Sequence, residues 1–342
     1  MAKSYSGREW SAIVGIANND AGSSVGAVGA ATQDANAVAS SKFLMRVDSP
    51  LNFFDYSAGY TRSEVARAGS RTLREEDIIN HYGSGTWTWD FDWLVDNEKG
   101  IQNLVELMYP SHGGTITTSI AYPAAPTVDD LSHLETAEAT SRLAFIILEN
   151  PLTSRDHYMH SANLQNLTLS MAHDTDGGRL RASGQFMSGY KPIIEANTVT
   201  ADSTASDYAK GLFDCTTSTF GGDAAVVKSF SVTIDNPAVR VGYQGSSGEA
   251  DGYSRGGNFG ITGSIQVKAD SLQQINDDTF WKANDTAALV LGEGTSIDFN
   301  IPKCNVSNIT QDMAEDGMFQ TIDFTATSGA DGGSALATLK FT

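Results

Sequence analysis

The chain has 342 residues, 40% of them hydrophobic, and a formal charge of −19 from 41 acidic against 22 basic side chains. That length suits two ordinary domains of about 100–200 residues, and the apolar content excludes a wholly disordered chain. The excess acid repels phosphates, which argues against a nucleic-acid-binding module, and its plainest role is solubility.

Abundant Gly, Ser, Thr and Ala with few helix-period segments point to an all-β architecture with many turns. Residues 15–41 are small and Gly/Ala/Ser-rich, and residues 1–42 as a whole are expected to be a flexible arm. A mixed stretch from Phe43 to about Asp77 follows. In Gly85–Val95, GTWTWDFDWLV, the side chains Trp87, Trp89, Phe91 and Trp93 alternate with Thr86, Thr88, Asp90 and Asp92. A strand therefore has one aromatic face and one polar, acidic face here. DNEKGIQNLVELMYP then predicts a short amphipathic helix with Ile101, Leu104, Val105 and Met108 at helical spacing, Asp96 as N-cap and Pro110 past its end.

TITTSIAY (115–122) and RLAFIILEN (142–150) read as strands, and NLQNLTLSMAH with RLRASGQFM as a hairpin around DTDGG (174–178). Residues 197–225 read as a connection. The second half repeats the order: strand KSFSVTIDN (228–236), a glycine-rich loop, then FGITGSIQVKAD with Thr262, Ser264, Gln266 and Lys268 on one face. A short helical stretch (SLQQINDDTFWKAND) and four further strands complete it. Corresponding elements lie roughly 155–175 residues apart, so the simplest account is one β module used twice, over 43–196 and 226–342.

No catalytic constellation emerges. His157 and His160 lack a third ligand for a metal. DTDGG lacks the later acids of a calcium loop, and GGNFGITG lacks the strand–helix frame of a dinucleotide site. Asp90 and Asp92 as a glycosidase pair face away from the indoles on which a sugar would stack. Cys215 and Cys304 are too few for a disulfide framework and lack metal-site spacing. No cofactor and no enzymatic activity is expected. MAKSYSGREW has no apolar leader core, and the longest apolar run, Leu143–Leu148, is far short of the roughly 20 residues of a membrane helix, so no membrane insertion is expected. Arg62, Arg67, Arg71 and Arg74 lie within thirteen residues of an acidic chain; they are either a solvated face or a docking patch for the acidic surface of another copy.

SRTLREED, TWTWDFDW, GIQNLVELMYP and LQNLTLSMAHDTDGGRLRASGQFM, with VKSFSVTIDN, FGITGSIQVKADSLQQI, ALVLGEGTSIDFNIP and FQTIDFTATSG in the second half, resemble the tail tube proteins of long-tailed phages. The resemblance spans about residue 60 to 342. It implies a mainly β fold of two tandem sandwich or barrel modules, each with a short flanking helix. It also implies a virion tail component made in the host cytoplasm, with edge-to-edge association into rings that stack around a channel for the genome. Single-module relatives form six-membered rings, so a two-module chain is expected to close with three copies in pseudo-sixfold symmetry. Tape-measure, terminator and tip proteins are the implied partners, and DNA passes without specific binding. On that reading Thr86, Thr88, Asp90, Asp92, Thr262, Ser264, Gln266 and Lys268 are candidate lumen-facing residues, and Arg62, Arg67, Arg71 and Arg74 candidate contacts between rings. The basic end of the second set, Lys268, departs from a uniformly acidic lining. A secreted carbohydrate-binding or glycoside-hydrolysing β-protein, and a capsid or decoration protein, are the alternatives.

Overall fold

Period-two alternation of apolar and polar residues commits most of this chain to β-strands. The computed structural model describes residues 10–17, 42–48, 51–65, 72, 74–108, 119–122, 143–153, 155–196, 200–201, 208–242, 249–250, 252–269, 286–292, 296–314, 317–327 and 336–341. The first half contains β1 (Ser11–Ala17), β2 (Phe43–Met45), β3 (Tyr60–Glu64), β4 (Ile78–Tyr82), β5 (Trp87–Leu94), helix α1 (Glu98–Met108), β6 (Ser119–Tyr122), β7 (Leu143–Glu149), β8 (Arg155–Ala172), β9 (Arg181–Ser188) and β10 (Ile193–Ala196). The second contains β11 (Ser218–Phe220), β12 (Asp223–Ala224), β13 (Val227–Asp235), β14 (Ala238–Val241), β15 (Gly252–Arg255), β16 (Gly260–Lys268), β17 (Thr286–Leu291), β18 (Ile297–Ala314), β19 (Gly317–Ala326) and β20 (Ala337–Phe341).

Sixteen strands join one antiparallel sheet, whose central run is β5-β9-β8-β13-β16-β19-β18. The order β5-β9-β8 recurs as β16-β19-β18. In each half the last of these strands is 18 residues long, and its N-terminal part turns out of the run into a second layer. There β8 pairs with β7 and β10, and β7 carries β1 and β2 beyond it. Likewise β18 pairs with β17 and β20; β17 continues to β11 and β12, and β20 to β6. In β8 the bend has a visible cause: the register against β7 slips near Ala162, and Ser161 sits at φ 50. An extra residue on one strand kinks it and increases its twist.

The two layers enclose a continuous core. Trp87, Trp89, Phe91 and Trp93 are at most 4% exposed. Each buries about 150–250 Å², roughly 4–6 kcal/mol of transfer free energy at about 25 cal/mol per Å². Their rings meet Tyr60, Phe54, Phe186 and Phe43. The indole N–H groups donate to Tyr56 O (3.3 Å), Asn52 O (2.8 Å) and Asp96 Oδ1 (3.1 Å), so the aromatic strand also fastens the irregular segment before β3.

Four features differ from the expectations. The helix N-cap is Asn97, whose Oδ1 accepts from Gly100 N at 3.1 Å. Asp96 is engaged instead by Trp93 and, at 3.7 Å, by Arg46, and burial raises its pKa. The helix is also buried on every side from Gly100 to Met108, because it contacts β1, β2, β8 and β20 together; Gln102 Nε2 donates to Phe341 O at 2.7 Å. Part of the segment read as an arm is core: β1 lies between β7 and β2, with Val14 and Ile16 in the main cluster and Ile13 against Phe145, Ile147 and Tyr158. A Cβ on Gly15 would stand 2.2 Å from the Phe145 ring, so that close approach requires glycine. The connection 197–225 supplies β11 and β12. The second predicted helix, 271–285, lies outside the described residues, as do residues 18–41.

Candidate functional site

Polar side chains of the central run share one face. On β5 this face shows Thr88, Asp90 and Asp92, all exposed, with Thr86 half-buried just before the strand. Register carries the face across the sheet: Asp90 lies opposite Gln185 and Asp92 opposite Ser183, Ser183 opposite Thr168, and Thr168 opposite Thr233. Thr233 lies opposite Thr262, Thr262 opposite Thr325, and Thr325 opposite Asn305. The two predicted sets, Thr86–Asp92 and Thr262–Lys268, therefore stand on one sheet face, with three strands between them. Sequence reading found only these outer stretches. The hydroxyls and amides of β8, β9 and β13 that join them were equally legible as period-two polar positions, but which strands adjoin was not.

The face is held by short polar contacts. Gln185 Nε2 donates to Asp90 Oδ1 at 2.7 Å, Thr168 and Thr233 hydroxyls are 2.9 Å apart, and Asn308 Nδ2 donates to Asp323 Oδ2 at 3.1 Å. Arg181, paired opposite Leu94 at the edge of the face, contacts Asp48 (2.7 Å), Asp92 (2.7 Å) and Asp176 (2.9 Å). Burial opposes its charge, but the three carboxylates more than offset this and raise its pKa. A cation surrounded in this way offers phosphates little net attraction. Nothing in the local sequence marked this group, since its acids come from three separate segments. Burial also raises the pKa of Asp235, on the same face.

Between β13, β16 and β19 the face dips into an open depression of about 340 Å³ lined by Ser231, Thr233, Thr262, Ser264, Ser307 and Asp323. Its floor is Gly263, where a Cβ would stand 2.5 Å from the Phe324 ring and 2.7 Å from Ser231 O. Hydroxyls and one carboxylate make this a wettable surface without a paired acid and base. The indoles of β5 are buried under the opposite face, so they offer no platform to a sugar.

The other titratable candidates are apart. His157 Nδ1 lies 2.6 Å from Tyr56 Oη, while His160 is buried against Tyr190, where burial lowers its pKa to about 4. Cys215 and Cys304 are both free, with thiols pushed up to about 12 by burial. Among the described residues no three His, Cys, Asp or Glu side chains are placed to hold a metal ion, and no helix is long and apolar enough to cross a membrane. Of the four arginines, Arg62 on β3 pairs with Glu64 at 2.8 Å and Arg74 with Glu76 at 3.5 Å, with Arg62, Glu64, Arg74 and Glu76 all exposed. Arg67 and Arg71 lie outside the described residues.

The sequence matches the family model for phage tail tube proteins over residues 23–326. A search of curated proteins gave no match.

Proposed function

The chain belongs to the phage tail tube family, a structural family of the virion tail, and from that premise we propose that three copies close into a pseudo-sixfold ring and that rings stack into the channel through which the genome passes. One observation carries this reading. The halves of the chain meet through a strand pair, β8 with β13, in unbroken register from Asn166 opposite Asp235 to Ala172 opposite Ser229. By the repeat of strand order, β18 corresponds to β8. Beyond Asn305, β18 has β19 on one side and, among the described residues, no strand on the other. At the opposite end of the run, β5 meets no further strand among the described residues: Val47 bridges Trp93, Asp48 N donates to Asp92 O at 2.9 Å, and Asn52 Nδ2 donates to Asp90 O at 3.1 Å. An open edge at each end of one sheet invites a neighbouring copy, and a rotation that closes the series removes every edge. Copy-to-copy pairing would thus repeat the joint already present within the chain.

The same arrangement supports two modules, 43–196 and 226–342, so that three chains present six. It also supports the polar face as the lumen, with Thr86, Thr88, Asp90, Asp92, Thr262, Ser264, Gln266 and Lys268 among its residues. Short hydroxyls and carboxylates let DNA slide, whereas lysine arrays would bind it through counterion release. A tape-measure protein inside the tube, and terminator and tip proteins at its ends, are the partners this assembly requires.

Native mass spectrometry of purified rings, with rotational averaging of tubes by electron microscopy, tests the reading. Three chains per ring are expected. Six complete chains per ring overturn it.

A further inference from the structure

We propose that Asp176 and Gly177 form a latent self-modification site in the β8–β9 turn, an aspartate set to isomerise through a cyclic imide, and that Arg181 holds the reaction back by gripping the Asp176 carboxylate.

The turn itself calls for this pair of residues. Gly178 N donates to Thr175 O at 2.9 Å, and Asp176 and Gly177 between them stand at φ 50 and 65. Two left-handed residues in succession make the tight turn that suits the twist of a hairpin, and Asp-Gly is among the few dipeptides that adopt it. The same dipeptide is the one most open to attack by the backbone on its own side chain. Glycine has no Cβ, so its amide nitrogen approaches the preceding carboxyl unhindered. Nothing else crowds it here: both residues are exposed, and a Cβ built on Gly177 would meet no atom within 4 Å.

The chemistry balances within the chain and water. The Gly177 amide nitrogen attacks Asp176 Cγ; the N–Cγ bond forms, the amide proton is lost, and a carboxyl oxygen leaves as water. The five-membered imide then takes up water at one of its two carbonyls. Opening at one restores the normal chain. Opening at the other routes the backbone through Cβ and leaves a free α-carboxylate. That product has an unchanged mass but an extra methylene in the backbone. A turn lengthened in this way no longer sets the register that pairs Ser170 with Arg181. In a virion component, which is not renewed once assembled, so slow a reaction accumulates.

Arg181 opposes the first step. Its Nε and Nη2 both donate to Asp176 Oδ2, at 3.0 and 2.9 Å. Its Nη1 is fastened at 2.7 Å to Asp48 and at 2.7 Å to Asp92, so the guanidinium is anchored on the sheet and does not follow a departing carboxylate. These bonds hold the Asp176 side chain in one rotamer, and the bonded oxygen leaves as water only after the pair opens. Arg181 is thus a positioning residue that keeps Asp176 out of the reactive population.

Peptide mapping of aged full-length protein tests this, with the isoaspartyl peptide recognised by its shifted retention at constant mass and its resistance to cleavage before aspartate. The other Asp-Gly steps, at Asp251, Asp316 and Asp331, are internal references in the same digest. Arg181→Gln is expected to raise the rate at Asp176 about two- to fivefold, the range that an ion pair of this exposure spans, and to leave the references unchanged. Asp48→Asn with Asp92→Asn loosens the anchor but keeps the grip on Asp176, and is expected to stay at or below the wild-type rate. High salt screens the pair without any substitution, so ageing the wild type in it should raise the rate at Asp176 relative to the references. Equal rates at Asp176 in wild type and Arg181→Gln overturn the proposal. So does a rise in the double variant as large as that in Arg181→Gln, which would make general loosening the cause. A ratio to the references that salt does not change overturns it even where Arg181→Gln fails to fold.

Discussion

Thr168 on β8 and Thr233 on β13 face each other across the seam between the two halves of the chain, their hydroxyls 2.9 Å apart. The pair sits on the polar face, one position from the middle of that strand pairing. Replacing either by Val leaves a half-buried hydroxyl without its partner, a loss of about 1 kcal/mol. A double-mutant cycle by chemical denaturation is expected to show coupling of about 0.5–1 kcal/mol. Strict additivity would mean that the seam is held by its backbone ladder alone.

The two faces of β5 predict opposite mutational behaviour. Trp89→Ala removes an indole that is stacked on Phe91 and Phe186 and bonded to Asn52 O, and should cost about 3–5 kcal/mol. Asp90→Asn changes an exposed acceptor of Gln185 and should stay within about 0.5 kcal/mol. Equal losses in thermal unfolding of the two variants would contradict the assignment of the aromatic face to the core and the acidic face to solvent.

His160 gives the fold a weakness to acid. Burial holds the imidazole neutral and lowers its pKa from 6.5 to about 4. Above about pH 6.5 both folded and unfolded chains carry it neutral, and it contributes no pH dependence. Between about 6.5 and 4 the unfolded chain takes up the proton and the folded chain does not, so stability falls with falling pH by roughly 3 kcal/mol in all. Denaturation midpoints at pH 7.0, 5.5 and 4.5 should drop more steeply in the wild type than in His160→Gln. Parallel curves would show that the site opens to water.

Arg62 and Arg74 are paired within the chain, each with a glutamate two residues away. If they also meet carboxylates of an adjacent ring, Arg62→Glu with Arg74→Glu should reduce sedimentable tubes at low salt. The deficit should shrink at high salt, since exposed ion pairs contribute only about 0.2–1 kcal/mol each and are screened. Assembly equal to the wild type at low salt would make these arginines a solvated face.

What the sequence by itself determined was local: the two-faced strand at 87–94, the hairpin around DTDGG, the helix after β5 and the mainly β class. Each rests on a period of two or 3.6 residues that a chain carries in its own order. Composition misled where a short apolar phrase lay beside a long small-residue one, so SAIVGIA was taken into the arm although it is a core strand. The sequence also named the wrong cap, because Asp96 and Asn97 are equally good cap residues and only the position of the Trp93 indole decides between them. Tertiary structure decided everything that depends on which segment lies beside which. It joined the halves through β8 and β13 and burdened Arg181 with acids from positions 48, 92 and 176. It crossed β20 to β6 and buried the helix on all sides. Strand partners are chosen by burial and twist across distances of tens to hundreds of residues, and no local period records that choice.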